Sequence, residues 1–209
     1  MKNENLEITI IDYGVGNTFS VYNAIKSLGY KKVKISNLDT EISSSDALIL
    51  PGVGAFETCA NNLRKSGIID VLNECVLNSK KPIFGICVGM QLFASFSEEN
   101  GIHEGLNWIP GRVIKLTPRK NCRIPHVGWN KLSDYQDSLL LKKIEGDPIV
   151  YFDHSYYFDC DSNYKTSLVD YGEKLTSSVQ KDNIVGVQFH PEKSQSYGLK
   201  IFRSFLNSI

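Results

Sequence analysis

Pro82-Ile83-Phe84-Gly85-Ile86-Cys87-Val88-Gly89-Met90-Gln91-Leu92-Phe93 is a short apolar run that closes on a cysteine set between two glycines. Residues 82–84 have the composition of a buried strand and 90–93 that of a helix start, so the stretch predicts a sharp strand-to-helix turn with Cys87 at its apex. Glycine is needed two residues before and two after, because a side chain there would collide across so tight a turn. A helix beginning just beyond it favours a thiolate over a thiol. Working outward, the first two thirds of the chain alternate short β-branched apolar runs with longer segments of helical period. That pattern predicts an α/β fold: an open, mostly parallel sheet flanked by helices.

Ile8 to Ile11 is the first expected strand. The turn Asp12-Tyr13-Gly14-Val15-Gly16-Asn17 leads into a helix with Val21, Ile25 and Leu28 on one face and Gly29 as its stop. Lys32 to Ile35 and Ala47 to Leu50 are the next strands, the second ending at Pro51-Gly52-Val53-Gly54. Helix is expected from about Phe56 to Asn78 with a break near Gly67. Beyond Gly101 the pattern changes to short strands, Arg112 to Leu116, Ile149 to Phe152, Lys165 to Val169 and Thr176 to Val179, read as additional antiparallel strands on the main sheet. Ile184 to Phe189 returns to the buried-strand pattern. A last helix presents Ile201, Phe202, Phe205 and Leu206 on one face.

The chain has 209 residues, suited to a single domain spanning 1–209. Its 23 basic and 23 acidic side chains give no global field toward nucleic acid or an anionic membrane. The start, Met1-Lys2-Asn3-Glu4-Asn5, is polar, and no apolar run approaches membrane-spanning length, so a cytoplasmic protein is expected. Five cysteines, an odd number without a C-x-x-C pair, fit a reducing compartment rather than a disulfide framework or a zinc site. Neither metal nor cofactor is expected. Cys59, Cys75, Cys122 and Cys160 read as ordinary packed or partly exposed thiols.

Phe189-His190-Pro191-Glu192 follows Cys87 by about a hundred residues. Taken alone, the glycine-flanked cysteine fits a packed core thiol as well as a nucleophile, and a single histidine after an apolar strand is commonly structural. Together they supply a nucleophile on an elbow, a base at the end of another strand, and a carboxylate two residues beyond it. In an open α/β sheet, sites form beyond the carboxyl ends of the strands, where Gly54, Cys87 and His190 all fall. Pro51-Gly52-Val53-Gly54 could present backbone N–H groups to an oxyanion or could simply be a tight turn. The turn at 12–17 is not a G-x-G-x-x-G loop, and dinucleotide binding there is rejected.

In order, the segments 12–17, Pro51-Gly52-Val53-Gly54-Ala55-Phe56, Gly85-Ile86-Cys87-Val88-Gly89-Met90-Gln91, Pro125-His126-Val127-Gly128-Trp129-Asn130, His154-Ser155-Tyr156 and Gln188-Phe189-His190-Pro191-Glu192-Lys193-Ser194 resemble the blocks of the class I (triad) glutamine amidotransferases. Within that class they are similar to the glutaminase subunit of imidazole glycerol phosphate synthase. The resemblance implies that Cys87 attacks the glutamine side-chain amide, that His190 acts as base and then as acid, and that Glu192 orients His190. It further implies an oxyanion site at Gly52, Val53 and Val88, and glutamine contacts from Gly54, Gln91, His154, Ser155 and Tyr156. Ser95 stands where such proteins often carry an acidic residue, which leaves open whether Glu98 or Glu99 meets the glutamine amino group.

The implied partner is a (βα)8-barrel cyclase subunit (HisF-like), forming a heterodimer that makes imidazole glycerol phosphate in histidine biosynthesis. A paralogous glutaminase feeding a sugar-amidinating partner in surface polysaccharide synthesis has the same motifs, and a non-catalytic glutamine sensor is disfavoured by the intact triad. Trp129 and Lys193 are expected at the partner interface. Asp12, Asn17 and Asn130 are either turn residues or part of the mouth through which ammonia leaves. His103 is expected at the surface and His126 as structural or interfacial.

Overall fold

The computed structural model describes residues 5–118, 122–135, 138–141, 144 and 146–209. The first four residues of the polar start lie outside them. In chain order the elements are β1 (Glu7–Ile11), α1 (Thr18–Ser27), β2 (Lys32–Ser36), α2 (Asp39–Ser44), β3 (Ala47–Gly52), α3 (Phe56–Lys65) and α4 (Ile69–Asn73), which runs into a π-helical turn at Glu74–Asn78. β4 (Ile83–Cys87), α5 (Val88–Gln91), β5 (Phe96–Ser97), β6 (His103–Glu104), β7 (Gly111–Lys115) and β8 (His126–Ser133) follow. The chain closes with β9 (Ile149–His154), β10 (Tyr156–Cys160), β11 (Lys165–Asp170), β12 (Lys174–Lys181), β13 (Ile184–Val187) and α6 (Gln195–Leu206).

Nine strands form one sheet in the order β2-β1-β3-β4-β13-β12-β11-β8-β9. From β2 to β13 the pairings are parallel, and from β13 outward to β9 they are antiparallel. The central strands β3, β4 and β13 are buried along their whole length, as strands covered on both faces must be, which is why they read as unbroken apolar runs. On one face the rings of Phe202 and Phe205 from α6 sit 5.7 and 5.3 Å from Phe84 of β4. Burying each such ring is worth roughly 2 kcal/mol, so the helix is held on the strand that carries Cys87.

The expected α/β architecture is found, with corrections in detail. The helix expected over 56–78 does break where Gly67 takes a φ of 75°. The helix after the elbow begins at Val88 and lasts only one turn, ending at Gln91 instead of continuing through Phe93. Arg112 to Leu116 does not extend the main sheet: β7 belongs to a second sheet of order β10-β7-β5-β6. α2, β8 and the short strands of the second sheet had no clear period in the sequence. His103 is partly covered rather than exposed and lies 3.8 Å from Glu57.

Register explains why the elbow needs its glycines. Gly52 of β3 pairs with Cys87 of β4, which brings the loop after β3 against the first turn of α5. A Cβ on Gly89 would lie 1.9 Å from the carbonyl oxygen of Leu50, and one on Gly85 would lie 2.6 Å from the ring of Phe93. The first obstacle is backbone and cannot swing aside. Gly89→Ala is therefore expected to cost more than about 2 kcal/mol and to lower the melting temperature by at least about 5 °C. Thermal denaturation followed by circular dichroism checks this, and an unchanged melting temperature would contradict the packing described.

Candidate active site

The carboxyl ends of β3, β4 and β13 converge on a cavity of about 560 Å³ whose lining includes Val53, Gly54, Cys87, Gln91, Glu99 and His190. Cys87 sits at the apex of the elbow with φ 54° and ψ −113°, a conformation that non-glycine residues rarely adopt and that costs of order 1–3 kcal/mol. It holds because β4 anchors one side and the close approach of Gly89 to Leu50 anchors the other. The sulfur is carried to the cavity floor, nearly enclosed by protein.

His190 follows β13 and makes a backbone hydrogen bond from its N–H to the carbonyl of Tyr151 at 2.8 Å. Its Nδ1 lies 2.8 Å from Glu192 Oε1, and both side chains are buried. Burial works against a charged imidazole here, yet the hydrogen bond and charge of Cys87, followed by those of Glu192, outweigh it and raise the histidine above its usual range. With Nδ1 committed to Glu192, Nε2 is the nitrogen left to exchange a proton with the sulfur. A nucleophile, a base and an orienting carboxylate thus meet in one place, an arrangement able to carry out acyl transfer through a thioester.

Behind the loop after β3, the Tyr13 hydroxyl donates to the Pro51 carbonyl at 2.6 Å, and the Cys59 thiol donates to the Val53 carbonyl at 3.3 Å. Burial pushes the Cys59 thiol up to about 11, so it acts as a neutral donor. The carbonyl and N–H of one trans peptide point in opposite directions. Fixing the Val53 carbonyl toward Cys59 therefore turns the Gly54 N–H away from the core. Val88 opens α5, so its N–H takes no part in the helical ladder.

Of the two carboxylates left open, Glu98 pairs with Arg112 at 3.2 Å and faces outward. Glu99 lines the cavity, where one oxygen accepts the Phe56 N–H at the start of α3 at 2.7 Å. Ser95 turns from the cavity to bond Asn107. His154, Ser155 and Tyr156 all line the cavity wall. Gln91 is tied down by its Nε2, which donates to the Tyr156 carbonyl at 3.0 Å and to Gln188 Oε1 at 2.9 Å.

The residues expected to face a partner divide. Asn17 and Lys193 line the cavity, and Lys193 Nζ stands 5.5 Å above the ring of Tyr151. Trp129 packs edge-on against that same ring at 5.9 Å and stays 49% exposed, so an aromatic patch runs outward from the cavity. Asp12 lies outside the cavity and caps its own turn through the Gly14 N–H. Asn130 turns inward and donates to the Asp170 carbonyl at 3.0 Å, with its Nδ2 also 3.4 Å from His126 Nε2. His126 Nδ1 in turn lies 2.9 Å from His154 Nε2.

The chain belongs to the class-I glutamine amidotransferase family, whose model matches residues 9–208. It is 46% identical over 202 residues to imidazole glycerol phosphate synthase subunit HisH 2 of Vibrio vulnificus, covering 97% of this chain and 94% of the relative. It is 42% identical to subunit HisH of Leptospira interrogans, covering 95% and 98%. It is 41% identical to subunit HisH of Pelagibacter ubique, covering 97% and 100%. Among solved structures, one described as glutamine amidotransferase shares the fold with a TM-score of 0.73 at 20% identity, covering 95% of this chain and 97% of that one. A glutamine amidotransferase from Thermotoga maritima does so with 0.64 at 15% identity, covering 98% and 85%. No described helix is long and apolar enough to cross a membrane.

Burial pulls His126 down to about 4 and His154, also chiefly by burial, to about 3. Both are neutral when folded at neutral pH, whereas in the unfolded chain each takes up a proton near pH 6.5. The stability these two neutral histidines contribute is therefore fully present above pH 6.5 and is lost as pH falls toward 4 and 3, by up to about 1.4 kcal/mol per pH unit per histidine. His154→Asn keeps a donor for the Tyr156 carbonyl and removes one titration. Urea unfolding at several pH values between 7 and 4.5 is expected to show a shallower loss of stability in that variant; equal slopes would contradict the burial of neutral His154.

Proposed function

We propose that this chain is the glutaminase subunit of an imidazole glycerol phosphate synthase, serving histidine biosynthesis in the cytoplasm. Residues 1–209 form one glutamine amidotransferase domain in this reading. The observation that carries it is Cys87 on its strained elbow beside His190, whose far nitrogen is held by Glu192. Relatives more than 40% identical over nearly their whole length bear that subunit's name, which supports the pathway.

Glutamine enters with its α-ammonium toward Glu99, a cavity carboxylate with no ion pair to a basic side chain among the described residues, and with its side-chain amide over Cys87. The thiolate attacks the amide carbon while His190 holds the proton. Backbone N–H groups at Val53 and Val88, with the turn freedom of Gly52, receive the negative oxygen, and Gly54, Gln91, His154, Ser155 and Tyr156 border the bound side chain. His190 then passes its Nε2 proton to the nitrogen as the carbon–nitrogen bond breaks, releasing ammonia and leaving a glutamyl thioester. Neutral His190 next takes a proton from water; the hydroxide adds to the thioester, and collapse expels the thiolate with glutamate. Sulfur and imidazolium return to their starting charges.

Ammonia leaves toward a (βα)8-barrel cyclase that docks over Asn17, Lys193 and the Trp129–Tyr151 patch, with Asp12 in the turn that ends at Asn17 and Asn130 next to Trp129 in the chain. Aromatic anchors of this kind carry much of the binding energy of interfaces.

Cys87→Ala is expected to reduce glutamine-dependent turnover by several powers of ten while ammonium salts still support the partner's reaction. Near-normal glutamate formation by the variant would refute the nucleophile. Glu99→Gln is expected to raise KM for glutamine by at least about tenfold with a smaller effect on kcat, as loss of a charge-assisted contact to the ground state requires; steady-state kinetics decide it. Trp129→Ala is expected to weaken association with the barrel by more than about tenfold, read by isothermal titration. Ammonia transfer to a sugar substrate instead of the histidine-pathway ribotide would reassign the pathway.

A further inference from the structure

Gln188 has no part in the chemistry described so far. It is fully buried between β13 and His190, and its main-chain N–H donates to the Ser177 carbonyl at 2.8 Å. The orientation of its amide follows from its neighbours. The Tyr156 carbonyl can only accept, so the Gln91 atom 3.0 Å from it is the nitrogen, and that same nitrogen donates to Gln188 at 2.9 Å. Gln188 must present oxygen to Gln91, and its Nε2 is left facing Cys87 Sγ at 3.7 Å.

We propose that Gln188 is a further catalytic residue, whose side-chain N–H donates a hydrogen bond to the sulfur of Cys87 in its anionic form and holds that sulfur toward the cavity. The proposal rests on the glutaminase reading above. A donor aimed at an anion is roughly twice as effective as one aimed at a neutral acceptor, so this contact favours the charged nucleophile over the thiol. It also limits where the sulfur can point. The backbone carbonyl of Asp153 lies near the sulfur as well, at 4.0 Å, but it is an acceptor and cannot stabilise an anion. The ionisable groups around Cys87 are His190 with Glu192, Asp153 and His154 from β9, Glu99 and Lys193 on the cavity wall, and Tyr13 and Cys59 behind the loop after β3. Among them His190 exchanges the proton, while Gln188 contributes a fixed dipole that does not titrate.

The buried amide also sits at the inner end of a hydrogen-bonded series. Gln91 shares the Tyr156 carbonyl with His154 Nδ1 at 2.9 Å, and His154 Nε2 meets His126 Nδ1. With His154 Nδ1 bound to a carbonyl, His154 Nε2 is an acceptor and His126 Nδ1 carries the hydrogen. Each neighbour thereby fixes the next, and the Gln188 amide cannot rotate without breaking the bond to Gln91.

Gln188→Met keeps the side-chain length and removes both amide atoms, while Gln91 retains the Tyr156 carbonyl and residue 188 retains its main-chain bond. The test uses the full chain with its barrel partner and follows iodoacetamide modification of Cys87 by peptide mass spectrometry across a pH series, alongside glutamine kinetics. In the variant, alkylation at pH 7 is expected to slow by about tenfold and to recover as the pH is raised, with kcat lower by at least about tenfold and KM changed by less than about threefold. Should the Met variant fail to fold, Gln188→Asn withdraws the donor from sulfur and is expected to give the same pH-recoverable slowing. An unchanged alkylation rate at pH 7 in a folded variant, or a slowing that higher pH does not recover, overturns the proposal even if turnover is lost. Because alkylation needs no glutamine, failure of the glutaminase reading would appear separately, as absent turnover in the unmodified protein.

Discussion

A cysteine at φ 54° and ψ −113° does not stay there unaided, and the rest of the site depends on what holds it. Parallel pairing of β3 with β4 brings Gly52 opposite Cys87, and the next turn of chain passes so near the Leu50 carbonyl that only glycine fits at 89. Strain of a few kcal/mol at one residue is thus borne by a central strand whose burial is worth far more. Relaxing the elbow would move the sulfur away from His190 and from the N–H groups that begin α5. The contact between two strand ends is accordingly the condition for the chemistry, and the fold is arranged so that neither end can give way.

Around that elbow the loop and side chains are fixed by hydrogen bonds inside the protein rather than by exposed charge pairs. Tyr13 and Cys59 hold the loop after β3 from behind, and Glu99 ties the cavity wall to the start of α3. On the sulfur side Gln91 and His154 share the Tyr156 carbonyl, and Gln91 in turn holds Gln188. Buried networks of this sort are costly when incomplete and rigid when complete. Beside Cys87 the directly paired charged groups are His190 and Glu192, which is where the proposed chemistry places the charge that changes during turnover.

Much of this was legible in the residues. The period of apolar positions located β1, α1, β3, β4 and α6, and the glycine spacing around Cys87 announced the elbow because few other arrangements require it. Gly67 likewise marked the helix break. The second sheet was not legible, since β5 and β6 are two residues each and β7 and β10 find each other only after the chain has folded. The length of α5 was missed because Leu92 and Phe93 continue its apolar pattern, whereas the place of Phe93 is set by stacking on Trp108 instead. That Glu98 faces outward while Glu99 lines the cavity depends on Arg112, a neighbour of Glu98 only across the second sheet. Gln188 was visible within a motif, but its aim at the sulfur depends on Gln91, 97 positions away, and no local pattern signals that.

The central claim is that Cys87 carries the glutamyl group during turnover. Rapid acid quenching of the chain with its barrel partner during glutamine hydrolysis, followed by peptide mapping of the intact adduct, addresses it most directly. A glutamyl mass on the peptide containing Cys87, appearing with turnover and absent from Cys87→Ser, is the expected result. Sustained glutamate release with no such adduct, or with the adduct on another residue, would contradict the account.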